Sequence, residues 1–273
     1  MKDSPVKILY LFNATRSDTL ERVRGEKEHD GSFMSMLRLK KFGILANFQE
    51  IELVFPKSIC LYIRKYLPIY FIHLPIFWKI FNYDIIFSSS AFGTQTLHAL
   101  CPFIKSKWVM IDFSITGFLN KKQTSSSKIF SWVVSQASGI VTISRDEAQA
   151  LKIFFPHIKI DFIPYGVDTE FFKPHNVTEN HQILTVGRDP GRDYNTLFSA
   201  CDGLGIKLVA TNSRKLSSFS SLPDFVQIHE FTARKLVEEY SKSKIVILPL
   251  VKVQGGGKRS YGLFHTCRSY GNG

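Results

Sequence analysis

Short apolar runs that alternate with helix-like segments constrain the fold of this chain more than any other feature. Val6–Phe12 is almost continuously apolar, as expected of a strand buried on both faces of a parallel sheet. Similar runs recur, and the segments between them carry apolar residues at helical spacing. This alternation predicts an α/β fold with doubly wound parallel sheets. The strands predicted in the first part of the chain are Val6–Phe12, Phe48–Val54, Asp84–Phe87, Trp108–Asp112, Gly139–Ile143 and Ile158–Ile163.

A second unit of the same kind is predicted from about Gln182 onward. Asp193 and Thr232 stand where helix N-caps belong, and Gly203 follows a predicted helix end. We therefore expect two domains, residues 1–174 and 181–273, with a hinge in the Pro- and Phe-rich stretch Phe171–Asn180. The strands predicted in the second unit are Ile183–Val186, Lys207–Ala210, Val226–His229 and Ile245–Leu248, with helices at Tyr194–Cys201 and Ala233–Tyr240.

The charge of the chain predicts an anionic partner. The formal net charge is +12 at pH 7, which suits nucleic acid, an acidic membrane surface or a phosphorylated substrate. No nucleic-acid-binding module is recognisable, so we expect no nucleic acid as partner. The histidines lack the spacing of zinc ligands, and no metal or cofactor is expected. Four scattered cysteines without a CxxC pair favour the reducing cytoplasm.

Lys57–Phe81 leaves two interpretations open. This segment mixes basic and aromatic residues, so it could lie at an anionic membrane surface with its aromatic rings among the headgroups. Its prolines and charges argue against a helix that spans the membrane. The alternative is a set of helices packed on the first domain.

Residues 160–198 are the most informative for function. A strand-like run, Ile160–Pro164, ends in a turn at Gly166. A second apolar run ends at Gly187, and a loop with two arginines then leads into a helix. A strand that stops at glycine, with cations beside the next helix start, is suited to hold a diphosphate.

These residues resemble the domain junction of family-4 glycosyltransferases of the GT-B fold. IPYGVDTEFF is similar to the family pattern IPNGVD-x-x-x-F, and VGR with a second basic residue follows it. The resemblance implies two Rossmann-like domains, the first for the acceptor and the second for a nucleotide-sugar donor. It also implies a retaining glycosyltransferase of cell-surface polysaccharide or glycolipid synthesis, with a sugar or lipid-linked acceptor and a location in the cytoplasm or at the inner face of the membrane.

The resemblance assigns donor-binding roles in the second domain. Arg188 and Arg192 would grip the diphosphate, and the alternative is two solvated arginines on a surface loop. The backbone at Glu230 and Phe231 would contact the nucleobase, and the alternative is an ordinary strand end. Pro249 would lie where the donor-sugar loop begins. Gly187, which ends the strand before the arginines, is assigned to the same donor-binding site.

Other residues receive roles in the first domain and at the junction. Asp112 matches the position of a cleft residue, where it would accept a proton from the acceptor hydroxyl or else cap or pair locally. Tyr165, Gly166 and Asp168 form the interdomain turn, with Gly166 allowing a tight turn and Asp168 capping the residues that follow it. Ser144 is expected to be the N-cap of a helix.

The last residues depart from the family pattern. After Pro249 a family member continues with a helix that carries two spaced glutamates, but here a Gly-rich tail follows, with no Glu after Glu239. We therefore expect the second domain to be incomplete, through C-terminal truncation or a frameshift, and activity to be impaired. The alternative function is a non-catalytic nucleotide- or membrane-surface-binding module on a GT-B scaffold.

Overall fold

A computed structural model of the chain describes residues 5–89, 91–112, 115–119, 125–173, 178, 180, 182–188 and 191–251. For Asp112, Phe118 and Ser126 only the backbone is described. The chain divides into two compact units. Of the described residues, the first contains those within Met1–Glu21 and Asp30–Gly166, and the second those within Arg22–His29 and Val167–Gly256.

The first unit is built on a six-stranded sheet in which all neighbouring strands are parallel. The strand order is β2-β1-β3-β4-β5-β6. The strands are β1 Lys7–Leu11, β2 Leu45–Gln49, β3 Ile85–Ser88, β4 Lys107–Asp112, β5 Gly139–Thr142 and β6 Ile160–Phe162.

Helices connect these strands, as a parallel sheet requires. The α-helices are α1 Ser17–Arg24, α2 Lys57–Tyr66, α3 Phe92–Leu100, α4 Ile115–Leu119, α5 Ser125–Ser135 and α6 Arg145–Phe154. Short 3₁₀ helices lie at Asp30–Phe33, Met36–Phe42, Ile51–Leu53, Ile69–Phe71 and Leu74–Asn82. The main core joins the sheet to these helices and includes Leu9, Ile86, Trp108, Ile140 and Leu151, which are almost fully buried.

The second unit contains a four-stranded parallel sheet in the order β10-β7-β8-β9. Its core includes Tyr194, Leu197, Leu208 and Ala210. The elements are β7 Gln182–Thr185, α7 Tyr194–Cys201, β8 Leu208–Thr211, a 3₁₀ helix Leu216–Ser218, β9 Val226–His229, α8 Ala233–Lys242 and β10 Ser243–Val246. The first and fourth strands of this unit are therefore neighbours, and the prediction of two Rossmann-like doubly wound sheets is confirmed.

Local capping signals were predicted correctly. The side chains of Ser144, Asp193 and Thr232 each accept a hydrogen bond from the backbone N–H three residues later. Gly203 follows α7 with φ +71°, in the left-handed region that glycine tolerates best.

One strand prediction near the N-terminus is wrong, and the segments before that strand are helical. The polar stretch Asn13–Gly31 contains α1. Phe33 ends one 3₁₀ segment, and Met36–Phe42 form another. The second strand lies at Leu45–Gln49 rather than Phe48–Val54, because β1 pairs with it from Lys7 opposite Leu45.

One further expectation concerns the C-terminal tail. The Gly-rich tail from Lys252 onward, on which the expectation of truncation or a frameshift rests, lies outside the described residues.

Lys57–Phe81 folds into α2 and two 3₁₀ segments. Cys60, Ile72 and Ile76 form a small buried cluster with Ile51, so part of the segment packs on the first unit as one interpretation predicted. Among the described residues, no helix combines the length and apolar character needed to cross a membrane.

Candidate functional site

The carboxyl edge of the second sheet collects the predicted donor-binding residues. All strands of this sheet are parallel, so the segments that follow them emerge at one edge. Gly187 follows β7, Asn212 follows β8, Glu230 and Phe231 follow β9, and Pro249 follows β10. The fold therefore brings residues that are as many as 62 positions apart in sequence to one edge of the sheet.

Gly187 has a backbone conformation that favours glycine, and it lies against the guanidinium of Arg192. Its φ is +128°, and an ideal Cβ would lie 2.9 Å from Cζ of Arg192 and closer still to Nη2. Its N–H donates to Thr211 Oγ1 at 2.9 Å, and the hydroxyl of buried Tyr194 donates to its carbonyl at 3.4 Å. Both polar backbone groups of Gly187 are thus held by hydrogen bonds, and the guanidinium of Arg192 lies on the side where a Cβ would be.

Two nitrogen atoms of the Arg192 guanidinium lack a hydrogen-bond partner within the described residues. Its Nε and Nη1 atoms are buried and make no hydrogen bond there. The free-energy cost of an unsatisfied buried donor is larger when the donor is charged than when it is neutral. A planar donor of this kind suits the oxygens of a phosphate, which can accept two parallel hydrogen bonds.

Backbone hydrogen bonds hold Arg192 beside Pro249. Asp193 N donates to Pro249 O at 3.1 Å, and Val251 N donates to Gly191 O at 2.9 Å. These bonds form a short antiparallel bridge between Arg192 and Leu250. The arginine loop and the end of β10 are therefore tied together.

Lys215 is a residue of this edge that the sequence analysis missed. Its ammonium group donates to the carbonyl oxygen of Arg192, so it adds positive charge close to the arginine loop. The polar run that follows β8, Thr-Asn-Ser-Arg-Lys, was the available signal, because the carboxyl ends of strands carry ligand-binding loops in such sheets.

The helix start beside Arg192 is already capped. Asp193 Oδ1 accepts from Thr196 N at 3.2 Å, and Oδ2 accepts from Thr196 Oγ1 at 2.8 Å. These hydrogen bonds from Thr196 lower the pKa of the Asp193 carboxyl, with a smaller contribution from Lys215. The positive charge available to a ligand here therefore comes from side chains more than from the N-terminus of α7.

Arg188 and the end of β9 provide the exposed part of this edge. Arg188 is exposed to solvent one residue after Gly187. Glu230 Oε1 accepts from Asn212 Nδ2 at 3.3 Å, and the Phe231 ring lies 5.6 Å from the His229 ring, centroid to centroid. The carboxylate and the two aromatic rings lie at the same edge of the sheet as the arginine loop, with β8 between β7 and β9. Such groups suit a planar base, and these donor-binding roles stay predictions.

Asp112 belongs to the first unit. It ends β4 and lies opposite Thr142 of β5 in the parallel register, which places its backbone at the carboxyl edge of the first sheet. Its side chain is outside the described part of the chain, and its catalytic role stays a prediction.

The residues of the predicted interdomain turn have local roles. Tyr165 donates to Gly31 O at 3.3 Å, and burial raises the pKa of its hydroxyl. Asp168 Oδ1 accepts from the N–H groups of Glu170 and Phe171, as expected of a capping residue. Gly166 is not among the glycines with positive φ, and a Cβ there would meet nothing within 4 Å. Its backbone therefore shows no steric need for glycine.

Comparison with solved structures identifies the architecture. The chain is similar to sucrose-phosphate synthase from Thermosynechococcus elongatus, with a TM-score of 0.60 and 14% identity over 90% of this chain and 75% of that one. HepE from Anabaena, solved with UDP and glucose, matches with a TM-score of 0.54 and 12% identity over 90% and 74%. A glycosyltransferase from Rickettsia africae matches with a TM-score of 0.52 and 16% identity over 91% and 74%.

The chain has the GT-B fold. At these identities the similarity is one of fold. No protein-family model matches the sequence, and no curated protein sequence matches it either. The local geometry at the carboxyl edge of the second sheet therefore has to support any functional conclusion about this GT-B chain.

Gly187→Ala is expected to disturb the Arg192 loop. A methyl group at this position would overlap the guanidinium of Arg192, and the positive φ adds backbone strain. We expect a loss of about 1–2 kcal/mol in the free energy of unfolding, measured by urea denaturation. Gly166→Ala is the matched control, since its methyl group meets open space. Equal stability of the two variants would contradict the backbone strain expected at Gly187.

Proposed function

We propose that the protein is a glycosyltransferase that moves a sugar from a nucleotide-sugar donor to an acceptor. The observation that carries this proposal is the buried guanidinium of Arg192, which lies over Gly187 with two nitrogen atoms that have no partner within the described residues. It lies at the edge of the sheet where doubly wound folds bind ligands.

The chemistry of the reaction explains why two arginines would be needed. When the glycosidic bond of the donor breaks, the nucleoside diphosphate leaves and negative charge grows on its phosphate oxygens. Guanidinium groups stabilise that charge where it develops. In this proposal the partly buried guanidinium of Arg192 binds one phosphate of the nucleoside diphosphate, and the exposed guanidinium of Arg188 binds the other phosphate. The two cations supply the positive charge, so the proposal includes no metal or cofactor.

The other site residues complete the donor position. Phe231 would lie against the base, Glu230 would accept a hydrogen bond from the nucleoside, and the backbone beyond Pro249 would face the sugar. The structures of HepE in complex with UDP and glucose and with UDP-glucose support a nucleotide-sugar as donor. Uridine diphosphate is therefore the first nucleotide to test.

The acceptor and the stereochemistry form the finer part of the proposal. The GT-B fold and the IPYGVD and VGR motifs support transfer with retention of configuration to a sugar or lipid-linked acceptor, in the synthesis of cell-surface polysaccharide or glycolipid. Asp112 would accept the proton of the acceptor hydroxyl. We also propose a cytoplasmic location, and the free thiols of Cys60, Cys101 and Cys201 agree with a reducing compartment.

Arg192→Ala tests the proposed diphosphate contact. A hydrogen bond to a charged group contributes about 1.5–3 kcal/mol, so we expect uridine diphosphate to bind roughly ten- to a hundredfold more weakly. Arg188→Ala should weaken binding by a similar or smaller factor. Isothermal titration calorimetry on the full chain measures both effects.

Lys244→Ala is the matched control. Exposed Lys244 lies near the start of β10, toward the amino edge of the same sheet, so its loss lowers net charge by the same amount away from the site. If Arg192→Ala binds uridine diphosphate as well as the parent does, the site assignment is wrong. Nucleotide binding without hydrolysis or transfer from a nucleotide-sugar would instead favour a non-catalytic nucleotide-binding module.

A further inference from the structure

The helix α2 is apolar on the side that faces solvent. Cys60 and Ile63 are three residues apart and pack into the cluster around Ile72 and Ile76. The opposite side presents Leu61, Tyr62, Lys65 and Tyr66, and the first two side chains are 61% and 66% exposed. A surface helix normally turns charged and polar residues toward water, so this side differs from that pattern.

The exposed apolar surface continues past the end of α2. Ile69 and Tyr70 follow Pro68 and are also exposed. The rings of Tyr62 and Tyr66 lie 4.6 Å apart, and the ammonium group of Lys65 lies 5.1 Å from the Tyr66 ring centre. We refer to Leu61, Tyr62, Lys65, Tyr66, Ile69 and Tyr70 as the outer face.

The segment that carries the outer face has cationic residues and no acidic ones. From Val54 to Tyr83 the sequence contains no aspartate or glutamate, and it contains four cationic residues. Arg64 is paired with Glu52 at 2.5 Å. Lys57 and Lys65 stay exposed at the two ends of α2.

We propose that the outer face docks on the surface of an anionic lipid bilayer. Tyrosine rings are suited to the headgroup region, where one end of the ring is apolar and the hydroxyl stays hydrated. Lysines beside them would contact the anionic headgroups. The helix is about 15 Å long, half the thickness of the hydrocarbon core, so it would lie along the surface. This inference does not depend on the proposed glycosyl transfer.

Vesicle co-sedimentation of the full chain tests the proposal. We expect binding to vesicles that contain phosphatidylglycerol, weaker binding to phosphatidylcholine alone, and a loss of binding as salt is raised. Lys65→Glu should weaken binding to the anionic vesicles by roughly tenfold. The triple variant Leu61→Ser, Tyr62→Ser, Tyr66→Ser should weaken it by at least roughly tenfold, because apolar burial contributes to such binding.

Matched controls lie on α6 of the same unit. Lys152 and Ile153 are both exposed there, so Lys152→Glu and Ile153→Ser repeat the same kinds of change away from the outer face. Both should bind vesicles like the parent. Circular dichroism confirms folding, and the single change Lys65→Glu at an exposed position provides a result even if the triple variant fails to fold.

Three outcomes would overturn the proposal. One is equal binding to neutral and anionic vesicles, and another is parent-like binding of Lys65→Glu. The third is self-association that the triple variant abolishes in the absence of any vesicle binding, which would assign the outer face to a second copy of the chain. Nucleotide binding is measured separately, so either proposal can fail without the other.

Discussion

Acidification from pH 7 to about pH 4 is expected to lower the free energy of unfolding by roughly 3 kcal/mol through one histidine, His73. This side chain is 1% exposed, and burial lowers its pKa from 6.5 to about 4. Its Nε2 lies 3.0 Å from Phe12 O. A carbonyl only accepts, so Nε2 carries the proton and Nδ1 is the atom that a second proton would reach.

The direction of the pH effect follows from where each state takes up that proton. Nδ1 is buried and makes no hydrogen bond within the described residues. The nearby charges of Arg64 and Glu52 have opposite effects on the pKa of His73. In the unfolded chain the imidazole of His73 takes up its second proton below about pH 6.5. In the folded chain the same imidazole stays neutral until about pH 4. The contribution of His73 is therefore complete above pH 6.5 and is lost as pH falls toward 4.

Urea denaturation at several pH values measures this effect. His73→Gln should flatten the decline in stability between pH 6.5 and 4, whatever its effect at neutral pH. His157→Gln changes an exposed histidine of the same unit and should leave the decline as in the parent. An equally steep decline in His73→Gln would show that His73 is not the responsible group.

Trp108→Ala is expected to destabilise the first unit by about 3–5 kcal/mol. Trp108 lies on β4 with no exposed surface, and its ring lies 5.3 Å from that of His98. Its Nε1 donates to Ser88 Oγ on neighbouring β3 at 3.0 Å. The variant therefore loses a large packed ring and leaves a buried hydroxyl without its donor.

Two further variants separate these contributions. Trp108→Phe keeps most of the ring but removes the donor, so we expect a loss of about 1–3 kcal/mol. Trp132→Ala makes the same change at a tryptophan on α5 that is 42% exposed, and about 1 kcal/mol or less is expected there. If Trp132→Ala proved as damaging as Trp108→Ala, burial would not explain the effect.

The sequence predicted most reliably those features that depend on neighbouring residues. The caps at Ser144, Asp193 and Thr232 involve a side chain and a backbone group three positions away. The predicted boundaries of the strands in the second unit agree with the observed ones to within one or two residues for the same reason. Their apolar runs are short, and glycine or polar residues bound them.

Features that depend on distant residues were missed. The α1 segment, SDTLERVR, is mostly polar and has no strong apolar period. Its start is held by buried Glu50, which accepts from the backbone N–H groups of Arg16 and Ser17 and from the Ser17 hydroxyl. A carboxylate more than thirty residues away cannot be recognised as a cap from local pattern.

The candidate site likewise has features that the sequence predicted and features that it did not. A motif predicted that Arg188 and Arg192 belong to one loop, but not that Arg192 would turn back over Gly187 with buried nitrogen atoms lacking partners within the described residues. The contact of Lys215 with the carbonyl of Arg192 depends on how the segment after β8 returns to the sheet edge. Such contacts follow from tertiary packing and carry no short sequence pattern.

The bridge between Arg192 and Leu250 has a consequence for the order in which the protein matures during synthesis. The strand β7 and the arginine loop leave the ribosome early, and β8 and β9 follow them. The arginine loop is held by hydrogen bonds to Pro249 and from Val251. These two residues are synthesised roughly 60 positions after the loop, which corresponds to several seconds of translation. A nascent chain that stops short of β10 would thus display the arginines before the backbone that orients them exists, so the nucleotide affinity that we propose should be acquired late.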